Sequence, residues 1–597
     1  MIGKFVESVL LRGGGVCLLA AVGLLACGSS GSRPVPTNGS EGSDAGVAAD
    51  WFVDQAAEVG LDFIHFNGMS GKFYQPEIAA PGVGMFDYDN DGDLDVYLVQ
   101  GDMLGDGVPT LPLPDGYALG DRLFRNDLDV QSGDPSTLRF TDVTEESGLS
   151  GARGYGMGVS AGDYDNDGWL DLYLTRFGPN QMFRNQGDGT FVDVSVETGT
   201  AHPAWAIPAS FFDYDRDGWL DLFVGNYMNY TLVTHSPCYF RAGPLDYCPP
   251  EVSPAEPNLL YRNNGDGTFS DATEVAGLGG EFGPALGSAT ADYNNDGWLD
   301  LFVANDQQEN QLWVNQQDGT FQNMALLWGT ALGAAGEAKA DMGVDAGDFD
   351  NDGDEDLFVT ELTGQGSTLY VNDGTGLFED QSARLGVRGP SLPHTGFGTG
   401  WLDFDNDSWL DIIAVNGFVT QRLDVMGSDE PFSMDAQNQL FRNLEGTGFD
   451  DVTDRAGQVF ELSEVSRGAA LGDIDNDGDV DVLIGNDAGP VRLLINHLGN
   501  ENHWLGLRVV SADAEPEVVG SRVEVVLAGS VTLWRHARAD GSYASANDPR
   551  ILVGLGSVTD VERVRVTWPD GQIEEWTDLN VDRYHTLVKG SGHRYAS

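Results

Sequence analysis

Residues 162 to 175 read GDYDNDGWLDLYLT, and this stretch decides the fold. Aspartates stand at positions 1, 3, 5 and 9 of a loop that begins at Asp163, with glycine at position 6. Taken alone, the stretch is compatible with a lone metal-binding loop, an acidic surface turn or one unit of a repeat. The motif is present seven times, with these first aspartates: Asp87, Asp163, Asp213, Asp292, Asp348, Asp403 and Asp473. We call these the acidic loops and number them copies 1 to 7 in that order. Seven copies exclude the interpretation of a single isolated metal-binding loop.

Each acidic loop lies in the same sequence context. A small, glycine-rich apolar segment precedes it and an alternating run such as LDLYLT follows; next come a segment such as QMFRN, a turn such as GDGT and a segment such as FVDVS. Alternation with β-branched and aromatic residues is typical of strands. Each unit therefore has four short strands, A to D, with the acidic loop between A and B. Repetition of four-stranded units predicts a β-propeller.

The D segments predict how the ring closes. Copies 1 to 6 are each followed by one, beginning at Phe140, Phe191, Phe269, Phe321, Phe378 and Phe449. Copy 7 has none, whereas residues 51–63 supply an unpaired D-like segment. Pairing the two removes the free sheet edges of an open array. We predict an all-β fold: a seven-bladed β-propeller with four-stranded blades, closed in its last blade by the N-terminal strand, and a small C-terminal β domain.

The N-terminus predicts export. Lys4 and Arg12 precede an apolar run that ends at Leu24-Leu25-Ala26-Cys27, the layout of a signal peptide. Leu-x-Ala-Cys resembles the lipobox of bacterial lipoproteins, which predicts lipidation of Cys27; the alternative is an ordinary signal peptide with an incidental cysteine. We predict a lipoprotein signal peptide over 1–27, a flexible tether over 28–49, the propeller over 50–500 and the β domain over 501–590. The predicted location is the bacterial outer membrane or cell surface.

Charge and cysteine content narrow the function. The chain has 31 Lys and Arg against 94 Asp and Glu, a formal charge of −63. Nucleic acid is excluded as a partner because phosphate binding requires clustered basic residues. Cation binding and a solvated acidic surface both fit. Cys238 and Cys248 are the cysteines beyond Cys27, and they could form a disulfide in an oxidising compartment or remain free thiols.

The acidic loops predict calcium. Oxygen ligands at positions 1, 3, 5 and 9, with the backbone carbonyl of position 7, suit Ca²⁺, whereas Zn²⁺ prefers Cys and His. Position 12 of copy 2 is Leu174 rather than the Glu of an EF-hand, so each site is a strand–loop–strand. Asn294 replaces aspartate in copy 4. Ser408 replaces glycine in copy 6, which predicts a strained turn and weaker binding.

We predict up to seven Ca²⁺ ions. The predicted ligands are Asp87, Asp89, Asp91, Asp93 and Asp95; Asp163, Asp165, Asp167, Trp169 and Asp171; Asp213, Asp215, Asp217, Trp219 and Asp221; Asp292, Asn294, Asp296, Trp298 and Asp300; Asp348, Asp350, Asp352, Asp354 and Asp356; Asp403, Asp405, Asp407, Trp409 and Asp411; Asp473, Asp475, Asp477, Asp479 and Asp481. Two alternatives remain open. The aspartates could cap their own backbone amides as simple turns, or the calcium could be purely structural.

The DxDxDGxxD loops resemble FG-GAP, or VCBS-type, repeats, as in integrin α-subunit propellers. Combined with the RN-x-GDGTF and FxDVT segments, the pattern is similar to the cartilage acidic protein family and its bacterial relatives. The tail is similar to the ASPIC/UnbV domain that ends that family, at Gly520–Val523, Gly541–Tyr543, Gly554–Gly556 and Trp568–Gly571. It departs at Ala546-Asn547 and Leu552-Val553, which puts any role of that turn in doubt. The resemblance implies calcium-binding, extracellular, adhesion- or matrix-like roles and no established reaction.

Long insertions predict where a ligand binds. They fall between strands B and C, at 101–121, 227–258 and 418–438, on the face opposite the acidic loops. Function tends to be carried by such excursions from a rigid scaffold. The copy 3 insertion is the leading candidate because it carries four aromatic residues beside the cysteines: Tyr227, Tyr230, Tyr239 and Phe240. The alternative is that the insertions only pack against the C-terminal domain.

We predict an extracellular binding, adhesion or scaffold protein rather than an enzyme, with an extracellular protein or glycan as its ligand. It would contact a membrane only through the lipid anchor. The alternatives are a carbohydrate-binding module and a polysaccharide-acting enzyme that uses the central mouth of the propeller. His65, Glu77, Lys339 and His394 lie in D–A connections and could converge there for acid/base chemistry. The sequence contains no recognisable nucleophile, phosphate-loop or zinc motif.

Overall fold

The computed structural model describes residues 50–114, 116–152, 154–239, 243–420, 434–511, 517–529 and 531–594. These residues belong to one compact unit, Ala49–Ser597. The predicted signal peptide, the predicted tether and Cys27 lie outside the described residues, as do Phe240 and residues 421–433 of the copy 6 insertion. Within the described ranges no helix has the length and apolar character needed to cross a membrane.

Seven four-stranded antiparallel sheets, the blades, follow one another along the chain after the first strand, β1 (Phe52–Asp54). Blade 1 contains β2 (Val83–Phe86), β3 (Asp95–Leu98), β4 (Arg122–Asn126) and β5 (Phe140–Asp142). Blade 2 contains β6 (Tyr155–Gly162), β7 (Asp171–Phe177), β8 (Gln181–Asn185) and β9 (Phe191–Asp193). Blade 3 begins with β10 (Ala206–Phe212) and β11 (Asp221–Asn226), continues through the hairpin β12 (Cys238–Tyr239) and β13 (Leu245–Asp246), and ends with β14 (Leu259–Asn263) and β15 (Phe269–Asp271).

The remaining blades repeat the plan. Blade 4 contains β16 (Ala285–Ala291), β17 (Asp300–Asn305), β18 (Gln311–Asn315) and β19 (Phe321–Asn323). Blade 5 contains β20 (Asp341–Gly347), β21 (Asp356–Glu361), β22 (Thr368–Asn372) and β23 (Phe378–Asp380). Blade 6 contains β24 (Gly396–Leu402), β25 (Asp411–Asn416), β26 (Gln439–Asn443) and β27 (Phe449–Asp451). Blade 7 contains β28 (Ser466–Gly472), β29 (Asp481–Asn486) and β30 (Arg492–Asn496), and β1 is its fourth strand.

The blades form a closed ring. Strand β1 pairs antiparallel with β30, with Phe52 opposite Asn496. The A strand of every blade contacts the A strands of both neighbouring blades, and the contact between β2 and β28 joins the first blade to the last. The A strands therefore line the centre, and the predicted fold class, including closure by the N-terminal strand, is confirmed.

Single helical turns connect the blades. They are α1 (Ala56–Val59), α2 (Ser195–Thr198), α3 (Ala325–Trp328), α4 (Ser382–Leu385), α5 (Arg388–Ser391) and α6 (Thr453–Ala456). The 3₁₀ turns are Gln75–Ile78, Pro135–Thr137, Leu149–Gly151, Pro250–Val252, Gln458–Glu461 and Gly499–Glu501. Apolar clusters lie mainly between neighbouring blades, so burial joins one blade to the next.

A two-sheet C-terminal domain follows blade 7. Its strands are β31 (His503–Val510), β32 (Arg522–Leu527), β33 (Val531–His536), β34 (Ile551–Gly556), β35 (Val561–Thr567), β36 (Ile573–Trp576), β37 (Tyr584–Val588) and β38 (His593–Arg594). One sheet has the order β34-β31-β37, with β31 parallel to β37, and the other has the order β33-β32-β35-β36-β38. Both sheets contribute to one apolar core that includes Leu505, Val525 and Trp568.

Residues 538–550 of this domain enter the centre of the propeller, and we call them the central segment. It makes β-bridges between Ser542 and Val344 and between Ala546 and Gly84, which lie in A strands on different sides of the ring. A Cβ atom at Gly82 would lie 1.9 Å from the carbonyl oxygen of Ala544. Glycines such as Gly82, in the glycine-rich segments that precede the acidic loops, thus leave the space that this segment occupies. Of the positions that depart from the family pattern, Ala546 and Asn547 lie in this segment inside the ring, whereas Leu552 and Val553 lie in β34.

Candidate functional site

The acidic loop of copy 2 is closed by its own first aspartate. Asp163 accepts the backbone N–H of Asp167 at 3.1 Å and that of Gly168 at 3.0 Å, one on each carboxylate oxygen. Asp167 in turn accepts the N–H of Trp169 at 3.1 Å. The turn requires left-handed backbone, with φ of 54° at Asn166 and 95° at Gly168. The local sequence therefore dictates a tight loop whose carboxylates point inward.

The two bonds to the first aspartate recur in all seven copies, at 2.7 to 3.2 Å. The amide-capping alternative thus describes part of the loop. Position 3 behaves differently in five copies, where one buried carboxylate oxygen has no hydrogen-bond partner; these residues are Asp89, Asp165, Asp215, Asp350 and Asp405. A buried polar atom without a partner is costly, and the carboxylates at positions 1, 3 and 9 of these copies offer oxygen atoms within 4.8 Å of one another. This donor set fits a hard cation such as Ca²⁺.

Copy 4 differs at position 3. The Asn294 amide oxygen accepts the N–H of Asp296 at 3.0 Å, and its Nδ2 donates to the Asp296 carboxylate at 3.1 Å. The amide is therefore satisfied within the loop, unlike the five aspartates that occupy the same position elsewhere. Asn294 as a metal ligand stays a prediction.

Burial changes the acidity of the loops. Desolvation raises the pKa of Asp163 to about 7, and it raises the pKa of Asp348 and Asp403 to about 8. The pKa of Asp171, at position 9, is raised well above its ordinary value for the same reason. Burial disfavours a charged carboxylate, and neighbouring loop carboxylates add repulsion. A divalent cation would relieve both effects.

An asparagine on each C strand ties a loop to the preceding blade, a role that the sequence reasoning missed. The Asn185 N–H donates to Asp171 at 2.8 Å, and its Nδ2 donates to the carbonyls of Leu170 at 3.2 Å and of Tyr88, in blade 1, at 2.8 Å. The equivalent bond to the preceding blade is made at 2.8 to 3.1 Å by Asn126, Asn263, Asn315, Asn372, Asn443 and Asn496. The available signal was the asparagine that ends every C strand, preceded by arginine in blades 1, 2, 3 and 6.

Position 4 of the loop makes a second set of links, to the next copy. Nδ2 of Asn90 donates to the carbonyl of Gly168 at 2.8 Å, and Nδ2 of Asn166 donates to that of Gly218 at 2.9 Å. In copy 3 this position holds Arg216, whose guanidinium lies 4.1 Å from the ring centre of Trp298 in copy 4. The acidic loops are consequently connected around one face of the ring.

The C-terminal domain lies on this acidic-loop face. The Tyr584 hydroxyl donates to the Asp473 carboxylate, at position 1 of copy 7, at 2.9 Å. Arg550 donates to the Asp473 carbonyl at 2.8 Å. In copy 6 the predicted left-handed strain is present, with φ of 84° at Ser408, and the Ser408 hydroxyl donates to the Gly554 carbonyl at 2.9 Å. A contact with the second domain thus stabilises a turn that lacks glycine, while weaker calcium binding there stays a prediction.

The opposite face carries a cavity of about 390 Å³. The copy 3 insertion forms one wall through the β12–β13 hairpin, in which Cys238 and Cys248 form a disulfide with Cα atoms 5.2 Å apart. Tyr239 in this hairpin is 60% exposed. Tyr227 lines the cavity but is buried, and Tyr230 is buried with its ring 5.8 Å from that of Trp205.

The tip of the central segment reaches the same cavity. Tyr543 lines it and its hydroxyl donates to the Ala79 carbonyl at 2.7 Å. The copy 3 insertion packs against this tip, because Tyr227, Tyr230 and Tyr543 belong to one apolar cluster. That the insertions do no more than this stays a prediction. The cavity joins the N-terminal D–A connection, the copy 3 insertion and the C-terminal domain.

The four candidate catalytic residues have different partners. His65 Nδ1 lies 3.4 Å from the Asp487 carboxylate, and Glu77 accepts the Tyr247 hydroxyl at 2.9 Å. Burial raises the pKa of Glu77 to about 8, with Asp487 adding repulsion.

The other two lie elsewhere in the ring. Lys339 donates to the Thr368 hydroxyl at 2.6 Å and lies 3.3 Å from the Glu361 carboxylate. His394 is half-buried, and burial lowers its pKa. His65 and Glu77 share Asp487 as a charged neighbour, whereas Lys339 pairs with Glu361 of blade 5. The centre of the ring, where the four were expected to meet, holds Tyr543 and its neighbours.

Comparison with known proteins agrees with this architecture. The FG-GAP-like repeat family matches residues 163–224, 252–303, 292–359 and 348–414, and the ASPIC and UnbV family matches residues 512–594. The chain therefore contains FG-GAP-like repeats followed by a C-terminal ASPIC and UnbV domain.

The relatives define it further. Cartilage acidic protein 1 of Mus musculus is 25% identical over 517 residues, covering 82% of this chain and 71% of the relative. The Homo sapiens protein is 24% identical over 515 residues, covering 82% and 69%. This chain is homologous to cartilage acidic protein 1.

Solved structures give weaker matches. A lectin from Burkholderia pseudomallei matches with a TM-score of 0.36 and 10% identity, covering 70% of this chain and 96% of that one. An Agrocybe aegerita protein described as recognising non-reducing terminal N-acetylglucosamine matches with a TM-score of 0.34 and 16% identity, covering 58% and 83%. TM-scores this low carry no argument about function.

Proposed function

We propose that this chain is an exported, calcium-stabilised β-propeller that acts as an extracellular binding, adhesion or scaffold protein, with its ligand face opposite the acidic loops. The observation that carries this proposal is the position of the C-terminal domain. It covers the acidic-loop face, through contacts such as Tyr584 with Asp473, and leaves the aromatic cavity on the other face. Concave, largely apolar sites of this size commonly bind ligands.

Calcium is the proposed stabiliser of the acidic loops. The side chains at positions 1, 3, 5 and 9 and the carbonyl at position 7 would hold it. Bound Ca²⁺ would supply positive charge to carboxylates whose burial is otherwise costly, and the interloop bonds would carry that stability around the ring. The chain itself holds the loop closed, through the bonds from Asp167 and Gly168 to Asp163.

The calcium proposal is tested on the purified chain by metal analysis and thermal unfolding. We expect up to seven bound Ca²⁺ ions, a lower melting temperature in chelator and recovery on adding Ca²⁺. Asp165→Ala should lower the number of bound ions by one, because it removes the position 3 ligand of the copy 2 site. Asp188→Ala is the matched control, since Asp188 is an exposed carboxylate in the C–D turn of the same blade. Equal ion counts in the two variants would contradict the ligand assignment.

The proposed location is the bacterial outer membrane or cell surface, through a lipid on Cys27. Homology to cartilage acidic protein 1 and the layout of residues 1–27 support export. Mass spectrometry of the membrane-derived protein should find an acylated N-terminal Cys27. Cys27→Ser should release the protein from membranes, whereas continued membrane association of the unacylated variant would contradict the anchor.

The ligand face is tested by capture of extracellular proteins and glycans on the immobilised full chain, with Ca²⁺ and with chelator. Tyr239→Ala removes the exposed aromatic ring of the cavity and should reduce capture. Val192→Ala, an exposed apolar side chain on an outer strand of blade 2, is the control. Equal capture by both variants would contradict the proposed face.

A carbohydrate-binding module is the second candidate, favoured by the exposed ring of Tyr239 beside the cavity. Aromatic faces stack on sugars and other planar or apolar groups. Glycan capture without protein capture would select this candidate. Cleavage of a captured polysaccharide, lost in His65→Ala or His394→Ala, would instead select the enzymatic alternative.

A further inference from the structure

The cavity opposite the acidic loops contains carboxylates and aromatic rings but no basic side chain among its described lining residues. Its aromatic walls are Tyr227, Tyr239, Tyr247, Phe397 and Tyr543. Three lining regions come from distant parts of the chain, so this composition is a property of the tertiary structure. Electron-rich rings attract cations through their faces.

Asp306 is the carboxylate that gives the cavity its chemistry. It is 9% exposed, lines the cavity and accepts the Tyr227 hydroxyl at 2.5 Å. The charged groups that act on it, Glu251 and Asp341, are also acidic, and burial raises the pKa of Asp306 to about 7. A buried carboxylate surrounded by acidic groups is unfavourable without a counter-charge. A cationic ligand would provide that counter-charge.

The buried guanidinium of Arg467 lies near the cavity, but its hydrogen bonds go to backbone carbonyls. The Arg467 guanidinium lies 3.9 Å from the ring centre of Phe397, which lines the cavity, and Arg467 itself is not a lining residue. Its N–H groups donate to the backbone carbonyls of Ile78, Gly417 and Phe418 at 2.6 to 3.1 Å. Arg467 therefore holds the connections around the cavity and does not line it.

We propose that this cavity binds an organic cation, a primary or quaternary ammonium group carried on an apolar chain. The ammonium would lie near Asp306, and the chain would contact Tyr227, Tyr239 and Tyr543. The inference rests on the proposed ligand face and names the chemistry of its ligand. Two sources share this chemistry, a free alkylamine and the lysine side chain of a protein.

The test is isothermal titration of the full chain in Ca²⁺ buffer with four probes of one chain length: hexyltrimethylammonium, hexylamine, 1-hexanol and hexanoate. We expect the two cations to bind at least about tenfold more tightly than the alcohol and the anion, given the usual strength of a desolvated cation–π contact with a carboxylate. Asp306→Asn and Tyr239→Ala should each weaken cation binding by about tenfold or more. Asp188→Asn should leave it unchanged.

The outcomes are separable from those of the proposed function. Equal binding of 1-hexanol, or tighter binding of hexanoate, overturns the cationic ligand while leaving a ligand-binding face. Cation binding that is unchanged in both Asp306→Asn and Tyr239→Ala overturns the proposed location of the site. If neither hexyltrimethylammonium nor hexylamine binds, the whole inference is overturned. Tyr239 is exposed, so its variant does not depend on core packing.

A peptide arm distinguishes the two sources. A lysine-containing peptide and its acetyl-lysine counterpart are titrated into the same protein. Binding of the lysine peptide alone, competed by hexylamine, points to a protein partner. Binding of free amines without binding of the peptide points to a small molecule.

Discussion

Closure of the ring by the N-terminal strand can be tested by Phe52→Ala. The Phe52 side chain is fully buried in blade 7, with its ring 6.2 Å from Phe404 and 6.0 Å from Phe460. Its backbone lies opposite Asn496, at the edge of the last blade. If β1 supplies the fourth strand of that blade, truncating the Phe52 side chain should let β1 separate from β30 before the rest of the ring unfolds.

The expected cost follows from burial. Removing a fully buried phenylalanine side chain costs about 3–5 kcal/mol, from lost transfer energy and the cavity left behind. At about 1.4 kcal/mol for each factor of ten, local opening of β1 should become roughly a hundred- to a few-thousand-fold more frequent. The backbone amides of β30 that face β1 should lose protection from hydrogen exchange by a comparable factor.

Hydrogen exchange read by mass spectrometry on peptides covering residues 492–496 measures this directly. The matched control is Val53→Ala, because Val53 is in the same strand but 36% exposed. A change of that kind at a partly exposed position is usually worth within about 0.5 kcal/mol. Equal protection in the two variants would refute the closure of blade 7 by β1.

Three further perturbations test other parts of the structure. Asn185→Ala should lower stability by about 2–4 kcal/mol in chemical denaturation, because the buried carbonyl of Tyr88 and the half-buried N–H of Gly187 lose their partners. Gly554→Ala should lower the melting temperature, at a cost of about 1–3 kcal/mol, because the added Cβ would lie 2.2 Å from the Asp403 carboxylate. Glu77→Gln should flatten the pH dependence of stability. The carboxyl of Glu77 has a pKa of about 8 in the folded chain against an ordinary 4.5, so the folded state holds a proton that the unfolded state releases, and stability falls as pH rises through that window.

Each variant has a control and a contradictory outcome. Asn264→Ala changes an exposed asparagine on the next blade, and equal losses in the two asparagine variants would remove the special role of the interblade bond. Gly280→Ala adds a Cβ in open space, and an equal melting shift would refute steric contact at the copy 6 loop. A pH profile of Glu77→Gln that keeps the wild-type slope between pH 4.5 and about 8 would assign the slope to other groups.

Part of the candidate site could be predicted from the sequence. The motif at Asp163 predicted a tight acidic loop because its first aspartate and the amides that it accepts lie within five residues of one another. The D-like segment at Phe52 predicted its own partner because the last of the seven units was the one without a D segment. The bond from Asn185 to Tyr88 was not predicted, since its partner lies 97 positions away in another blade.

The repeat pattern by itself determined the blades, their number and the closure of the last one. The blades follow from alternation within each unit, and the closure follows from counting D segments, since the last unit lacks one and the N-terminal segment supplies it. Only the tertiary structure decided which face is covered and what fills the ring, because the residues that make those contacts, such as Tyr543 and Ala79, belong to no repeated pattern. The central segment has no periodic signature of its own. Its conformation is set by the A strands that surround it, and it is this segment that brings Tyr543 to the cavity on the far face.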